Sequence, residues 1–366
     1  MTETAPKGTI LVTGANGALG SAIARQIASK PELSAYHGVY TVRDTTKAQA
    51  LTSALEHGPA HKHDIVALEL TDLDDVRRLA AGINARVSAG EIPPIRALML
   101  TAGFQDFGKQ SWTKDGLDTT FAANYLGHWL LTLLLLKSLD KEAGRIVLIG
   151  SQSHDPEDPR NASTGAFKDP KHRTFLPSGA ASFGAVARGE WSPASEDASF
   201  RGGFRRYGAS KLFLVMALHE LRARLAANAD ADADPALALA RVRARGLDPG
   251  TMLSGIVRLA PWPIRVLLFR LVYPLVLHLF PDAGPVRSTG RSAADALELA
   301  FGAALGEEEE EAPGHDGAPA GGYFDGRAPL QTSAESRDPA KRELVWAETV
   351  KLAGLKEGET VLRRWR

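Results

Sequence analysis

The 366-residue chain has no cysteine. That excludes disulfides, thiolate nucleophiles and cysteine-held metals. It also has no excess of charge, since 43 Lys and Arg stand against 43 Asp and Glu. Nothing in that balance draws nucleic acid or another polyanion. The opening MTETAPKGTILVTG shows no basic stretch followed by a long apolar run, so a secretory signal is not expected and the cytosol is the default location. A membrane span needs ~20 apolar residues with few or no charges. WPIRVLLFRLVYPLVLHLF, residues 262–280, is broken by Arg265, Arg270, Pro274 and His278. It reads as helical segments that cover a greasy cleft or rest on a membrane surface, with simple core as the alternative.

What the chain does have is an alternation of short β-rich runs with helical ones. GTILVTG (8–14), GVYTVR (38–43), IVALEL (65–70), IRALMLTAG (95–103) and GRIVLIGS (144–151) read as strands, and LALARVRARG (237–246) as the last. Helical patterns fall at 18–29, 72–87 and 121–139, and another opens at Tyr207. Such a pattern predicts an α/β fold, a Rossmann-type doubly wound parallel sheet in a single domain. Residues 8–150 form its dinucleotide-binding half and 151–305 its catalytic and substrate-binding half. Residues 152–206, rich in Gly, Pro and Ser, predict a long active-site loop. NADADADP (228–235) reads as a solvated turn, residues 306–322 (GEEEEEAPGHDGAPAGG) as a disordered insertion, and 323–366 as a C-terminal extension that caps the domain.

TGANGALG (13–20) lies between the first strand and its helix, where glycines let backbone amides approach a pyrophosphate. Gly14, Gly17 and Gly20 are the close-approach positions, and Thr13, Asn16, Ala18 and Leu19 complete the turn. Arg43 ends the second strand, about where such folds meet the adenosine ribose. An acid there would hold a 2′-hydroxyl, whereas Arg suits a 2′-phosphate, so NADP(H) is expected over NAD(H). Asp44, next in line, tempers that expectation.

YGASK (207–211) sets Tyr207 and Lys211 one helical turn apart. A nearby cation favours a phenolate, so the pair could exchange a proton near neutrality. With the glycine turn, TAG (101–103), NYLGHW (124–129), RIVLIGSQSH (145–154) and DPG (248–250) in order, the chain resembles the short-chain dehydrogenases/reductases over nearly its whole length. Within that family it looks most like the retinol dehydrogenase, WW-domain oxidoreductase and protochlorophyllide reductase branch, especially its fungal members.

The resemblance implies roles residue by residue. Tyr207 would be the general acid, Lys211 its partner and the holder of the nicotinamide ribose, Ser151 the hydrogen-bonding partner of the substrate oxygen, and Asn124 part of a water relay. Ala102 and Gly103 would pass the adenosine ribose, and Glu69 and Leu70 the adenine. Pro249, Gly250 and Thr251 would reach the nicotinamide amide and the phosphates. His154 is expected to steady its loop, and Ser153 competes with Ser151. Three departures stand out: TAG for the usual NAG, Gly150 at the first of two paired serines, and Glu69 for the usual Asp. Members also pair through the helices bearing Asn124 and Tyr207, which implies a homodimer.

The apolar run after DPG predicts a bulky hydrophobic ketone, aldehyde or alcohol as substrate, resembling polyketides, steroids or retinoids. Secondary-metabolite tailoring fits the fungal likeness. A sugar-nucleotide epimerase would share the glycine turn but should carry a polar diphosphate site where this chain is greasy. A light-driven protochlorophyllide reductase is disfavoured by the missing cysteine. An NADP-sensing binding protein should have lost Tyr207 or Lys211.

Overall fold

A computed structural model of the chain describes residues 6–58, 60–228, 239, 241–253, 255–280, 286–302 and 322–366. Five strands come from the first half: β1 Thr9–Val12, β2 His37–Val42, β3 His63–Ala67, β4 Ile95–Leu100 and β5 Arg145–Ile149. β6 Arg243–Asp248 follows, then the short pair β7 Thr251–Met252 and β8 Val286–Arg287, and finally β9 Tyr323–Asp325 and β10 Ala328–Pro329. The main sheet runs β10-β9-β6-β5-β4-β1-β2-β3, and every pairing in it is parallel except β9 with β10. β1 and β5 are apolar on nearly every residue because helices cover both sheet faces. Helices Ala18–Ser29 and Thr289–Phe301 pack on one face. Leu73–Ser88, Gly127–Leu135 and Phe200–Ala227 pack on the other. This is the doubly wound architecture expected.

Several expectations need correction. The strand sought at 237–246 begins at Arg243, and it is not the last. Residues 323–366, read as an extension outside the sheet, supply β9, which pairs with β6 from Gly246↔Tyr323 to Asp248↔Asp325. Asp325 and Gly326 then turn the chain back into β10. The runs 229–235 and 306–321, read as a turn and an insertion, lie outside the described residues.

The loop at 152–206 is not structureless. It holds short 3₁₀ turns, the helix Ala180–Ala187 and, from Phe200, the first two turns of the catalytic helix. Tyr207 therefore sits inside that helix rather than at its front. Arg206 clamps the loop, donating from Nε and Nη2 to Asp106 at 2.8 Å each, with both side chains buried. Arg205 does the same to Ser192 and Asp197.

The helix faces expected to form a homodimer are covered from within the chain. Helix Pro339–Ala353 starts on an Asp338 cap with proline in its first turn and stops at left-handed Gly354. Its Trp346 ring meets Trp129 edge-on at 5.3 Å, and Thr349 shares a 2.6 Å hydrogen bond with Tyr125. Helix Leu73–Ser88 packs against Gly127–Leu135 as well, and every residue of the latter is buried. A dimer through this face would have to displace the C-terminal helix.

Residues 262–280 do form helix, from Pro263 to Leu279, but none of its residues is buried. Simple core is thus excluded. Trp262, Leu267, Leu271, Val272, Leu275, Leu279 and Phe280 all face outward. Just before this ridge, Val257 and Ala260 pack with Phe107 and with Phe200 of the catalytic helix.

Candidate active site

The C-terminal ends of β1, β4, β5 and β6 converge on one cleft, the place where an open α/β sheet presents its ligand site. At β1, Gly14 adopts φ +63°, and a Cβ there would lie 2.7 Å from Ala102 Cα. A Cβ on Gly20 would stand 2.6 Å from the Gly14 carbonyl oxygen. Only glycine lets this turn close against β4, and the turn that results leaves its backbone open to a phosphate. The residues present fit a dinucleotide. Thr13 uses its hydroxyl internally, accepting the Ala102 amide at 3.2 Å. Asn16 is also engaged, donating to Lys47 O at 2.9 Å and accepting from Leu51 N at 3.1 Å. It braces the turn against the segment after β2.

Arg43 is exposed just beyond β2. Asp44 commits its carboxylate to Thr46 and Lys47, which hold it down at about 2. Burial and the facing Arg43 guanidinium both pull Arg258 below its usual value, and Arg258 lies over the Phe104 ring at 5.3 Å. Two guanidinium groups thus border this end of the cleft. Glu69, expected near the adenine, accepts from Thr71 N and Oγ1 at 3.0 and 2.8 Å, while its own amide donates to Asp75. It ties off the turn after β3. Leu70 is buried behind it, and Gly103 stands open at the rim.

Asn124 lies in a π turn, Ala122–Leu126, that interrupts its helix, a form of irregularity common at functional sites. Its side chain receives the Phe104 amide at 2.7 Å and donates to Phe104 O at 2.8 Å and Ser210 Oγ at 3.0 Å. Ser210 in turn donates to Tyr207 O at 2.7 Å. Asn124 therefore links the β4 loop to the catalytic helix.

Tyr207, Ser151 and Lys211 come together as the motifs require. Ser151 lies beside the Tyr207 phenol and draws its pKa down, but burial outweighs this and raises it, helped by the negative Asp248. The Lys211 ammonium lies 5.6 Å from the phenol ring centroid and donates to Ile149 O at 2.7 Å. Burial pulls Lys211 down to about 8, and Asp248 resists that fall. The lowering of the phenol's pKa expected from Lys211 is thus outweighed by burial, which favours the protonated phenol. Ser153, the rival of Ser151, is fully buried and donates to Ser151 Oγ from its amide and its hydroxyl, at 3.2 and 3.0 Å. It supports Ser151 and does not replace it. His154 makes a 2.7 Å bond to Ser151 O and receives the Ser333 amide at Nε2, which steadies the loop.

Three participants were not singled out from sequence. His128, one turn after Asn124, sits 3.0 Å from Thr13 Oγ1 at Nε2 and 3.4 Å from Asn124 O at Nδ1. Burial and nearby Lys211 hold it neutral, down at about 3. It joins the glycine turn to the π turn, and its spacing from Asn124 within NYLGHW was the available signal. Asp248, in the DPG motif, receives the Gly250 amide at 3.0 Å and lies 3.0 Å from Arg160. Burial raises its pKa and Arg160 opposes the rise. Pro249, Gly250 and Thr251 follow as a tight turn, with Gly250 at φ +71° and Pro249 O held by Ser292 at 2.8 Å. Arg160, from the loop, also pairs with Asp158 and Asp325.

Known proteins agree with this assembly. The sequence profile described as short chain dehydrogenase matches residues 8–167. The chain is 37% identical over 381 residues to "Short-chain dehydrogenase iccH" of Talaromyces variabilis, covering 98% of this chain and 99% of that protein. It is 27% identical to the WW domain-containing oxidoreductase of Pongo abelii, over 72% of this chain and 53% of that one. Among solved structures, NADPH-bound carbonyl reductase from chicken fatty liver shares the fold, with a TM-score of 0.53 at 15% identity over 90% of this chain and 95% of that one. On a match that runs from end to end, the chain belongs to the short-chain dehydrogenase family of oxidoreductases.

Proposed function

We propose that this protein uses NADP(H) to interconvert a carbonyl and an alcohol on a bulky hydrophobic substrate. The observation that carries the reading is the buried phenol of Tyr207, its pKa raised by burial, beside Ser151 and one turn from the buried Lys211 ammonium. Bound NADPH would supply the hydride. Tyr207 would give its proton to the substrate oxygen, Ser151 would hold that oxygen as charge develops, and Lys211 would favour the phenolate left behind. All three are present and close together, which supports turnover over mere sensing of the dinucleotide.

Arg43 and Arg258 at the ribose end support the phosphorylated cofactor, as does the NADPH of the chicken carbonyl reductase. The apolar cluster of Phe107, Phe200, Val257 and Ala260 between the catalytic helix and the segment after β7 supports a hydrophobic substrate. A polyketide-like or steroid-like ketone suits that lining, and an epimerase's sugar diphosphate does not. The ridge from 262 to 280 has no acid, carries Arg265 and Arg270, and exposes leucines four residues apart. An anionic lipid surface fits it, and such a surface would concentrate apolar substrates at the cleft.

Tyr207→Phe should cut NADPH-dependent ketone reduction at least ~100-fold, the usual contribution of a positioned acid, with NADPH affinity retained. Undiminished turnover, followed by the loss of NADPH absorbance, would remove the proposed acid. Arg43→Ala should weaken NADPH by roughly tenfold or more while sparing NADH, the size expected for a lost charge-assisted hydrogen bond. Equal losses of both cofactors in fluorescence titration would refute the 2′-phosphate assignment. For the ridge, flotation with vesicles of phosphatidylcholine and phosphatidylserine should carry the wild type upward and leave Leu271→Glu behind. Identical behaviour of the two proteins would dismiss the lipid contact.

Burial of Lys211 sets a pH dependence. Its pKa falls from 10.5 to about 8, so between those values the unfolded chain keeps a proton that the folded chain has released. Stability on this group's account should therefore rise with pH through that window, while below it the penalty of the buried ammonium is fully present. Urea unfolding from pH 7 to 10 should show the rise in the wild type and not in Lys211→Met. Parallel curves would mean that Lys211 titrates as an ordinary lysine.

A further inference from the structure

Tyr323 lies on β9, in the one strand of the parallel sheet that the sequence pattern did not disclose, and its side chain is 2% exposed. Its hydroxyl points into the active site. A Cβ at Gly150 would stand 2.1 Å from Tyr323 Oη, and one at Gly246 would stand 2.4 Å from the ring's Cδ2. Two glycines, at the end of β5 and within β6, thus make room for this one ring. Position 150 is where the resemblance placed the first of two serines. Here, the space for a side chain at 150 is filled by the hydroxyl of another residue.

The hydroxyl lies beside the Ser151 backbone amide, close to Asp248 and Tyr207 in the field they create, and its ring meets His154 at 5.3 Å. Among the described residues, no group completes a hydrogen bond to it. Asp248 Oδ2 differs, being ion-paired with Arg160 at 3.0 Å although not in hydrogen-bond alignment. A buried hydroxyl left unsatisfied is destabilising, and phenylalanine would fill the same space without that penalty. Packing therefore explains the ring but not its oxygen, and the oxygen is at the reacting centre.

We propose that Tyr323 is a positioning residue whose hydroxyl receives the Ser151 amide in the working complex and thereby fixes Ser151 against Tyr207. The inference rests on the proposed carbonyl–alcohol chemistry. It assigns to β9 a part in that chemistry, with Gly150 as the opening through which it acts.

The test is a double-mutant cycle between Tyr323→Phe and Ser151→Ala, with an aromatic ketone turned over by the wild type as probe. Tyr323→Phe should leave the melting temperature unchanged or higher, since it deletes only an unpaired hydroxyl. It should lower kcat/KM for the ketone by about tenfold, the upper worth of one neutral hydrogen bond, without moving the KM for NADPH. In the Ser151→Ala background the same change should cost less than about twofold, because its route of action is gone. Full activity of Tyr323→Phe would overturn the proposal, as would an equal loss in both backgrounds or a clear fall in melting temperature. Ser151→Ala separates the two levels of argument. Should it alone be harmless, the proposed chemistry fails; should it be damaging while Tyr323→Phe is not, only the role of Tyr323 fails.

Discussion

One buried charge constrains the rest of the molecule. The Lys211 side chain is 2% exposed, and its ammonium holds a single carbonyl, that of Ile149. Stripped of water, an ammonium would shed its proton, and the acid that counters this is Asp248, fully buried at the end of β6. Asp248 needs support of its own, which comes from the Gly250 amide and from Arg160. Arg160 must then be fixed, and Asp158 and Asp325 hold it. A charge on the catalytic helix thus depends on β6, on the loop after β5 and on β9, three segments far apart in the chain.

The same dependence explains why the long loop is folded rather than loose. A carboxylate or guanidinium buried without its partner costs about 3–5 kcal/mol, so the Asp106–Arg206 pair, once enclosed, admits few arrangements of the chain between them. Arg206 immediately precedes Tyr207, and Asp106 follows the segment whose backbone Asn124 grips through Phe104. Fixing one end fixes the other. The π turn at Asn124 and the neutral His128 extend this bracing to the glycine turn, so that turn and the Tyr207 helix share one frame.

Much of this was legible in the sequence, because it depends on short-range patterns. Period and punctuation located β1, β2, β4, β5 and their helices, spacing set Tyr207 and Lys211 one turn apart, and the family resemblance pointed to Ser151 and Asn124 beside them. What escaped was long-range. Arg160 and Asp248 are 88 residues apart in the numbering of their contact, and no local pattern pairs them. β9 is three residues long and follows a Gly- and acid-rich run, so only the Asp325-Gly326 turn hinted at it. The 262–280 segment shows a different limit. Its hydropathy could not say whether its apolar face met protein, and the structure leaves that face outward.

The protonation of the resting site follows from the same carboxylate. An ionised Asp248 favours a proton on Lys211, whose charge it offsets, and equally a proton on Tyr207, whose phenolate it would repel. Burial acts on the two groups in opposite senses, raising the phenol and lowering the ammonium. Asp248 therefore opposes burial at Lys211 and reinforces it at Tyr207, and in each case a proton is retained. A site so biased stands ready to donate, which is the state needed to protonate a carbonyl oxygen. In the reverse sense, taking a proton from an alcohol would require the phenol to ionise against both burial and Asp248.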